Sequence, residues 1–257
     1  MCEIFGFSSG KPQTINAELK EFFSHSDQHP HGWGLALLNG SEAAIEKEPA
    51  QASKSRYLRE RLREPIQVSN ALAHIRYATI GHTEWRNCHP YSQKDCTGRR
   101  WTLIHNGTIF DYAPMNHYVS LQRGETDSER ILLYLVDQMD QLIARLGRSP
   151  EAEERFQRLD QLVAALSPGN KLNLLIYDGQ LLYAYTNYAG SLYRRRTEDG
   201  VLILTRPLAR GQWEPMPFTT LVAYQDGQLV YTGTNHGGEY FEDPEAIKLL
   251  NLAFAEL

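Results

Sequence analysis

Apolar and polar positions alternate through "CEIFGFSS" near the start of the chain, and a period of two predicts a strand. "INAELKEFFSHS" then places Leu19, Phe22 and Phe23 on one face of a helix. "GWGLALLNG" and "AAIEKE" read as two strands of a hairpin turning at Asn39-Gly40. "KSRYLRERLRE" is a short basic helix, and "VSNALAHIRYAT" is a β-rich run ending at Ile80-Gly81. Residues 81–100 are polar and rich in turn formers, which predicts a long surface loop before the strand "RWTLIHNGTIF".

Two helices are expected next. "TDSERILLYLVDQMDQLIARLG" carries Ile131, Leu132, Leu135, Val136, Met139, Leu142 and Ile143 in helical register, and "EAEERFQRLDQLVAALSPG" repeats the pattern. Thr126 or Asp127 can cap the first, and Pro168-Gly169 ends the second. "LNLLIYDGQLLYAYT" and "TTLVAYQDGQLVYT" are hairpins built on Asp-Gly, with "GVLILTRP" as a further strand. Strands, a helical pair and strands again predict an α+β protein, with helices packed on two sheets rather than an alternating wrap. With no repeat or linker, residues 1–257 are expected to form one domain.

Composition narrows the function. A 42% hydrophobic chain of 257 residues can build a core without staples. A formal charge of -5 argues against a general nucleic-acid binder, whose affinity comes from neutralising phosphates. Cys2, Cys88 and Cys96 make an odd set with no metal-binding spacing, so neither a disulfide framework nor a metal or other cofactor is expected. No apolar run approaches a membrane span and no basic leader precedes an apolar stretch, which points to a cytoplasmic protein with no membrane partner. His25, His29 and His31 crowd "SHSDQHPH", where solvated loop histidines are the simpler reading than a metal site.

Cys2 is the residue with a chemical argument of its own. Removal of Met1 would leave a thiol and a free α-amine on one residue, and an amine of pKa about 7.7 to 8.0 is a suitable base for a thiol of about 8.5. Taken with "HGWG", "AHIRYATIG", "WTLIHNGTIF" and "GETDSE" in this order, the chain resembles the class II glutamine amidotransferases of the N-terminal nucleophile hydrolase superfamily, in their stand-alone bacterial form. Singly each motif is weak: "HNG" is a common turn, and Asp127 is an equally good helix cap.

The resemblance implies a four-layer αββα sandwich with two antiparallel sheets between helical layers. It implies Cys2 as nucleophile, with the Asn106 side chain and the Gly107 N–H as oxyanion donors. Arg76 would grip the substrate carboxylate, Asp127 the substrate ammonium, and Thr79 would line the pocket. The loop 81–96 would close over it. The expected activity is release of ammonia and glutamate from glutamine, with a separate ammonia-acceptor protein as partner. The alternatives are hydrolysis of a γ-glutamyl amide of a small-molecule pathway and glutamine sensing without turnover. Ile80 and His31 depart from the resemblance, in which His and Asp are common there, and no role is assigned to His31.

Overall fold

The computed structural model describes residues 2–243. In chain order the first half runs β1 (Glu3–Thr14), α1 (Asn16–Ser24), β2 (Trp33–Asn39), β3 (Glu42–Glu48), α2 (Arg56–Arg61), β4 (Gln67–Ile75), β5 (Tyr91–Lys94) and β6 (Arg100–His105). The helical pair α3 (Asp127–Leu146) and α4 (Ala152–Leu166) follows. The chain then returns through β7 (Asn173–Tyr177), β8 (Leu182–Thr186), β9 (Tyr193–Arg196), β10 (Gly200–Leu204), β11 (Glu214–Pro215), β12 (Val222–Gln225) and β13 (Gln228–Thr232).

These strands make two antiparallel sheets, ordered β11-β9-β10-β1-β4-β2-β3 and β13-β12-β8-β7-β6-β5. Strand alternation explains how they stack. Phe5 and Phe7 of β1 and Ala71, Ala73 and Ile75 of β4 meet Leu19, Phe22 and Phe23 of α1 and Leu58 of α2 on the outer face of the first sheet. Ile4, Ala36 and Leu72 point the other way and meet Ile104, Leu175 and Ala184 of the second sheet. Leu103, Leu174 and Ile176 then face out against Ile131, Leu135 and Met139 of α3 and Leu159 and Val163 of α4. The result is helices, sheet, sheet, helices: the expected four-layer sandwich. Each face is fed by every second residue of a strand, so a slip of one residue would exchange two cores.

The helix ends follow their local chemistry. The Thr126 hydroxyl accepts from Glu129 N–H at 3.3 Å, and Gly147 closes α3 with a left-handed φ of 66°. Glu151 and Glu154 form a capping box on α4, and Ser55 caps α2 by accepting from Leu58 N–H. Asp226 and Gly227 turn the last hairpin at φ 52° and 77°.

Residues 81–100 correct the sequence reading. They are not one surface loop: residues 87–91 are buried, and Tyr91–Lys94 pairs with β6 as an edge strand. The segment is polar because its backbone and side chains bond inward. Asn87, fully buried, donates to His82 O and to Glu125 and accepts from Glu125 N–H. At β2 the segment comes so close that a side chain on Gly34 would collide with His89 O. Among the described residues no helix is long and apolar enough to cross a membrane.

Candidate active site

Sheet register delivers Cys2. Glu3 pairs with Ile75 across β1 and β4, so Cys2, one step before β1, lies beside the residues that follow β4. Its Sγ accepts from Tyr77 N–H at 3.2 Å and donates to Tyr77 O at 3.3 Å. Burial pushes the thiol above its ordinary value, while the Tyr77 N–H and the Arg76 charge pull it down and Asp127 pushes it up. Arg76 and Asp127 are thus near enough for their charges to act on the sulfur.

Asn106 arrives from the other sheet. It exchanges backbone hydrogen bonds with Asn173 at 2.9 and 3.1 Å, one residue past the end of β6. Cys2 and Asn106 line the same open cavity of about 550 Å³. Gly107 follows where the backbone crosses Lys171: Thr108 N–H donates to Lys171 O at 2.9 Å, and a Cβ on residue 107 would overlap that oxygen and His105 Nε2. Only glycine fits there without moving the strand.

The remaining expected residues are not on the wall of this cavity. Arg76 is 2% exposed, and its guanidinium donates to three backbone carbonyls, His82 O at 2.9 Å, Ile80 O at 2.8 Å and Gly81 O at 3.0 Å. Asp127, also buried, accepts from Ile109 N–H at 2.8 Å and Ser128 N–H at 2.9 Å at the start of α3. Thr79 is half-buried in the turn after Arg76 and does not line the cavity.

The histidines behave differently from the solvated loop expected of them. His25 Nδ1 sits 2.8 Å from Glu3 Oε2, and His29 is 4% exposed with Nε2 3.9 Å from Glu3 Oε1. Both face the Glu3 carboxylate, and His29 shares the cavity wall with the nucleophile. His31, given no role in advance, accepts from Ala78 N–H at 2.9 Å through Nδ1, and its backbone N–H donates to Arg76 O at 3.1 Å. His105 bridges the strand carrying Asn106 to α3 through Ser128 Oγ at 3.0 Å.

Sequence reasoning missed several residues on the cavity wall: Glu3, Tyr77, Tyr188, Ser191 and Arg206. Tyr188, Ser191 and Arg206 come from segments that carried no motif. The signal for Arg206 was the pairing of β1 with β10, which sets Phe5 opposite Leu204 and so brings the residues after β10 beside Glu3.

The sequence profile described as Glutamine amidotransferases class-II matches residues 1–198. The chain belongs to this family. Among class II relatives, a protein of Escherichia coli provisionally named as the glutamine amidotransferase YafJ is 28% identical over 207 residues, covering 79% of this chain and 80% of its own. A glutamine amidotransferase, predicted as such, from Pseudomonas aeruginosa has the same fold, with a TM-score of 0.65 at 20% identity, covering 90% of this chain and 100% of that one. The glutamine phosphoribosylpyrophosphate amidotransferase of B. subtilis gives 0.64 at 15%, with 90% of this class II chain matching 48% of that longer one.

Proposed function

We propose that the protein is an N-terminal cysteine amidohydrolase, one domain over residues 1–257, that cleaves the γ-amide of glutamine or of a γ-glutamyl amide. Cys2, uncovered by loss of Met1, gives its thiol proton to its own α-amine. Its sulfur attacks the γ-carbonyl carbon, forming a C–S bond and an oxyanion held by the Asn106 side chain and Gly107 N–H. The oxyanion collapses, the C–N bond breaks, and ammonia or an amine leaves with the proton from the α-ammonium. Water then attacks the thioester, the C–S bond breaks, and glutamate departs.

The glutamyl half is held by opposite charges: Asp127 takes the α-ammonium and Arg76 the α-carboxylate. Three loop carbonyls already occupy three of the five N–H groups of Arg76, leaving its Nε–H and one Nη1–H for the substrate. Carboxylate binding therefore couples to the position of the loop 80–82, with Thr79 beside it. When glutamine is the substrate, a separate protein accepts the ammonia.

The observation that supports this function is the convergence of Cys2 and Asn106, from different sheets, on one cavity within reach of the Arg76 and Asp127 charges. The test is glutamate release by Met-processed protein, checked by mass spectrometry, from glutamine and from γ-glutamylethylamide. Cys2→Ala is expected to abolish it; equal rates for both proteins would exclude Cys2 as nucleophile.

A further inference from the structure

The cavity at Cys2 has a composition that glutamine does not explain. It is lined by the nucleophile and Asn106 but by neither Arg76, Thr79 nor Asp127, so its wall is made of groups other than those assigned to the glutamyl half. With Cys2 and Asn106 on its wall, it has room for a leaving group beyond the scissile nitrogen. Ammonia, the size of a water, needs only about 10–15 Å³ of such space, whereas this open cavity holds about 550 Å³.

Its wall also carries charge with unused hydrogen-bonding capacity. The Arg206 guanidinium makes no hydrogen bond among the described residues, and its nearest acidic oxygen, Glu3 Oε1, is 3.9 Å away, beyond hydrogen-bond reach. Glu3 Oε2 is taken by His25 Nδ1 at 2.8 Å, and Oε1 is left facing His29 and Arg206 at 3.9 Å each. An open guanidinium fork next to a nucleophile suits a carboxylate, and a carboxylate oxygen beside it suits the ammonium that an amine becomes on release.

We propose that the preferred substrate is a γ-glutamyl amide whose amine belongs to an amino acid or short peptide, with Arg206 as the specificity-determining residue that binds the carboxylate of the leaving group. This rests on the amidase function proposed above. Sulfur attack and C–N cleavage are unchanged. The departing α-amine takes the proton held on the Cys2 α-ammonium and leaves as the neutral amine, which takes a second proton from solvent beside Glu3 as its carboxylate is released from Arg206.

The experiment compares kcat/KM for γ-glutamylglycine, γ-glutamylethylamide and glutamine. The wild-type protein is expected to favour γ-glutamylglycine over the ethylamide by at least about tenfold, the lower range for a hydrogen bond to a charged group. Arg206→Gln is expected to lower that ratio by about the same factor, mainly through KM for the glycine amide, and Arg206→Lys to restore part of it. A wild-type ratio near one, or a ratio unmoved by Arg206→Gln, overturns the inference while leaving the amidase intact. Failure of the wild-type protein to release glutamate from any of the three substrates overturns both.

Discussion

At the scale of single residues, the surprise is His31. In this chain it is a backbone clamp, because its Nδ1 accepts from Ala78 N–H and so fixes the turn that carries Tyr77, the backbone partner of Cys2. Accepting requires the neutral ring. Burial, aided by the Arg76 charge, pushes the His31 pKa below its ordinary value. A folded pKa below the unfolded one gives stability that is complete above about 6.5 and is lost as pH falls through the lower, folded value. The turn should therefore loosen in acid, raising KM for a γ-glutamyl substrate as pH falls below the ordinary histidine range. His31→Ala is expected to raise KM several-fold at every pH. His31→Asp, which keeps an acceptor that stays ionised to about pH 4, should move the acid rise downward. A KM profile for His31→Asp that overlays the wild type would show that this histidine does not set the acid limb.

At the scale of elements, the periodic segments were legible and the aperiodic ones were not. The buried residues of α1 and the turns of both Asp-Gly hairpins match their sequence patterns, since periodicity and turn chemistry are local. So was the fold class, through the order of elements. Residues 81–100 failed because their burial comes from partners distant in sequence. Asn87 is buried by bonds to Glu125, a pairing no local pattern encodes. The site divides the same way: Cys2 and the short motifs could be read, while Glu3, Tyr188 and Arg206 reach the cavity only through sheet register and loop return. The Glu125 contact has a consequence of its own. Its carboxylate accepts from His82 N–H at 2.9 Å and Asn87 Nδ2 at 2.8 Å, while Arg76 holds His82 O. Glu125 thus latches the loop 80–82 to the segment that leads into Asp127. The His82 N–H and then Asn87 push its carboxyl down to about 2. A depressed carboxyl keeps its contribution above the ordinary value near 4.3 and loses it as pH falls through about 2, so the latch stays closed at neutral pH. Glu125→Gln is expected to raise KM by several-fold to tenfold and to speed amide hydrogen exchange over residues 80–88. Unchanged protection there would leave the loop held by something else.

At the scale of the whole molecule, the site draws on both sheets and on Asp127 at the start of α3, and beyond that helix start the outer helical layers must be anchored without disturbing it. On the second sheet the apolar packing of α3 and α4 is joined by a polar anchor. Arg155 of α4, 2% exposed, donates to Asp178 Oδ2 at 2.7 Å, to Pro150 O at 2.8 Å and to Gln180 Oε1 at 2.8 Å. Asp178, in the β7–β8 turn and fully buried, also accepts from Tyr183 OH and from the N–H groups of Gln180 and Leu181. Because the carboxylate and guanidinium are buried and paired with each other, removing either leaves the other charged, buried and unpaired. A cut of that kind costs about 3–5 kcal/mol, whereas replacing both by apolar groups of similar volume is close to neutral. Arg155→Met alone is therefore expected to lower the melting temperature by about 10 °C for a chain of this size, and Arg155→Met with Asp178→Leu to recover part of the loss. The anchor holds α4 and the β7–β8 turn, and neither residue lines the Cys2 cavity. kcat/KM per folded molecule should stay within about twofold of the wild type while stability falls. A matching drop in kcat/KM at temperatures well below the transition would mean that the outer layer also sets the spacing of the two sheets, and with it the approach of Asn106 to Cys2.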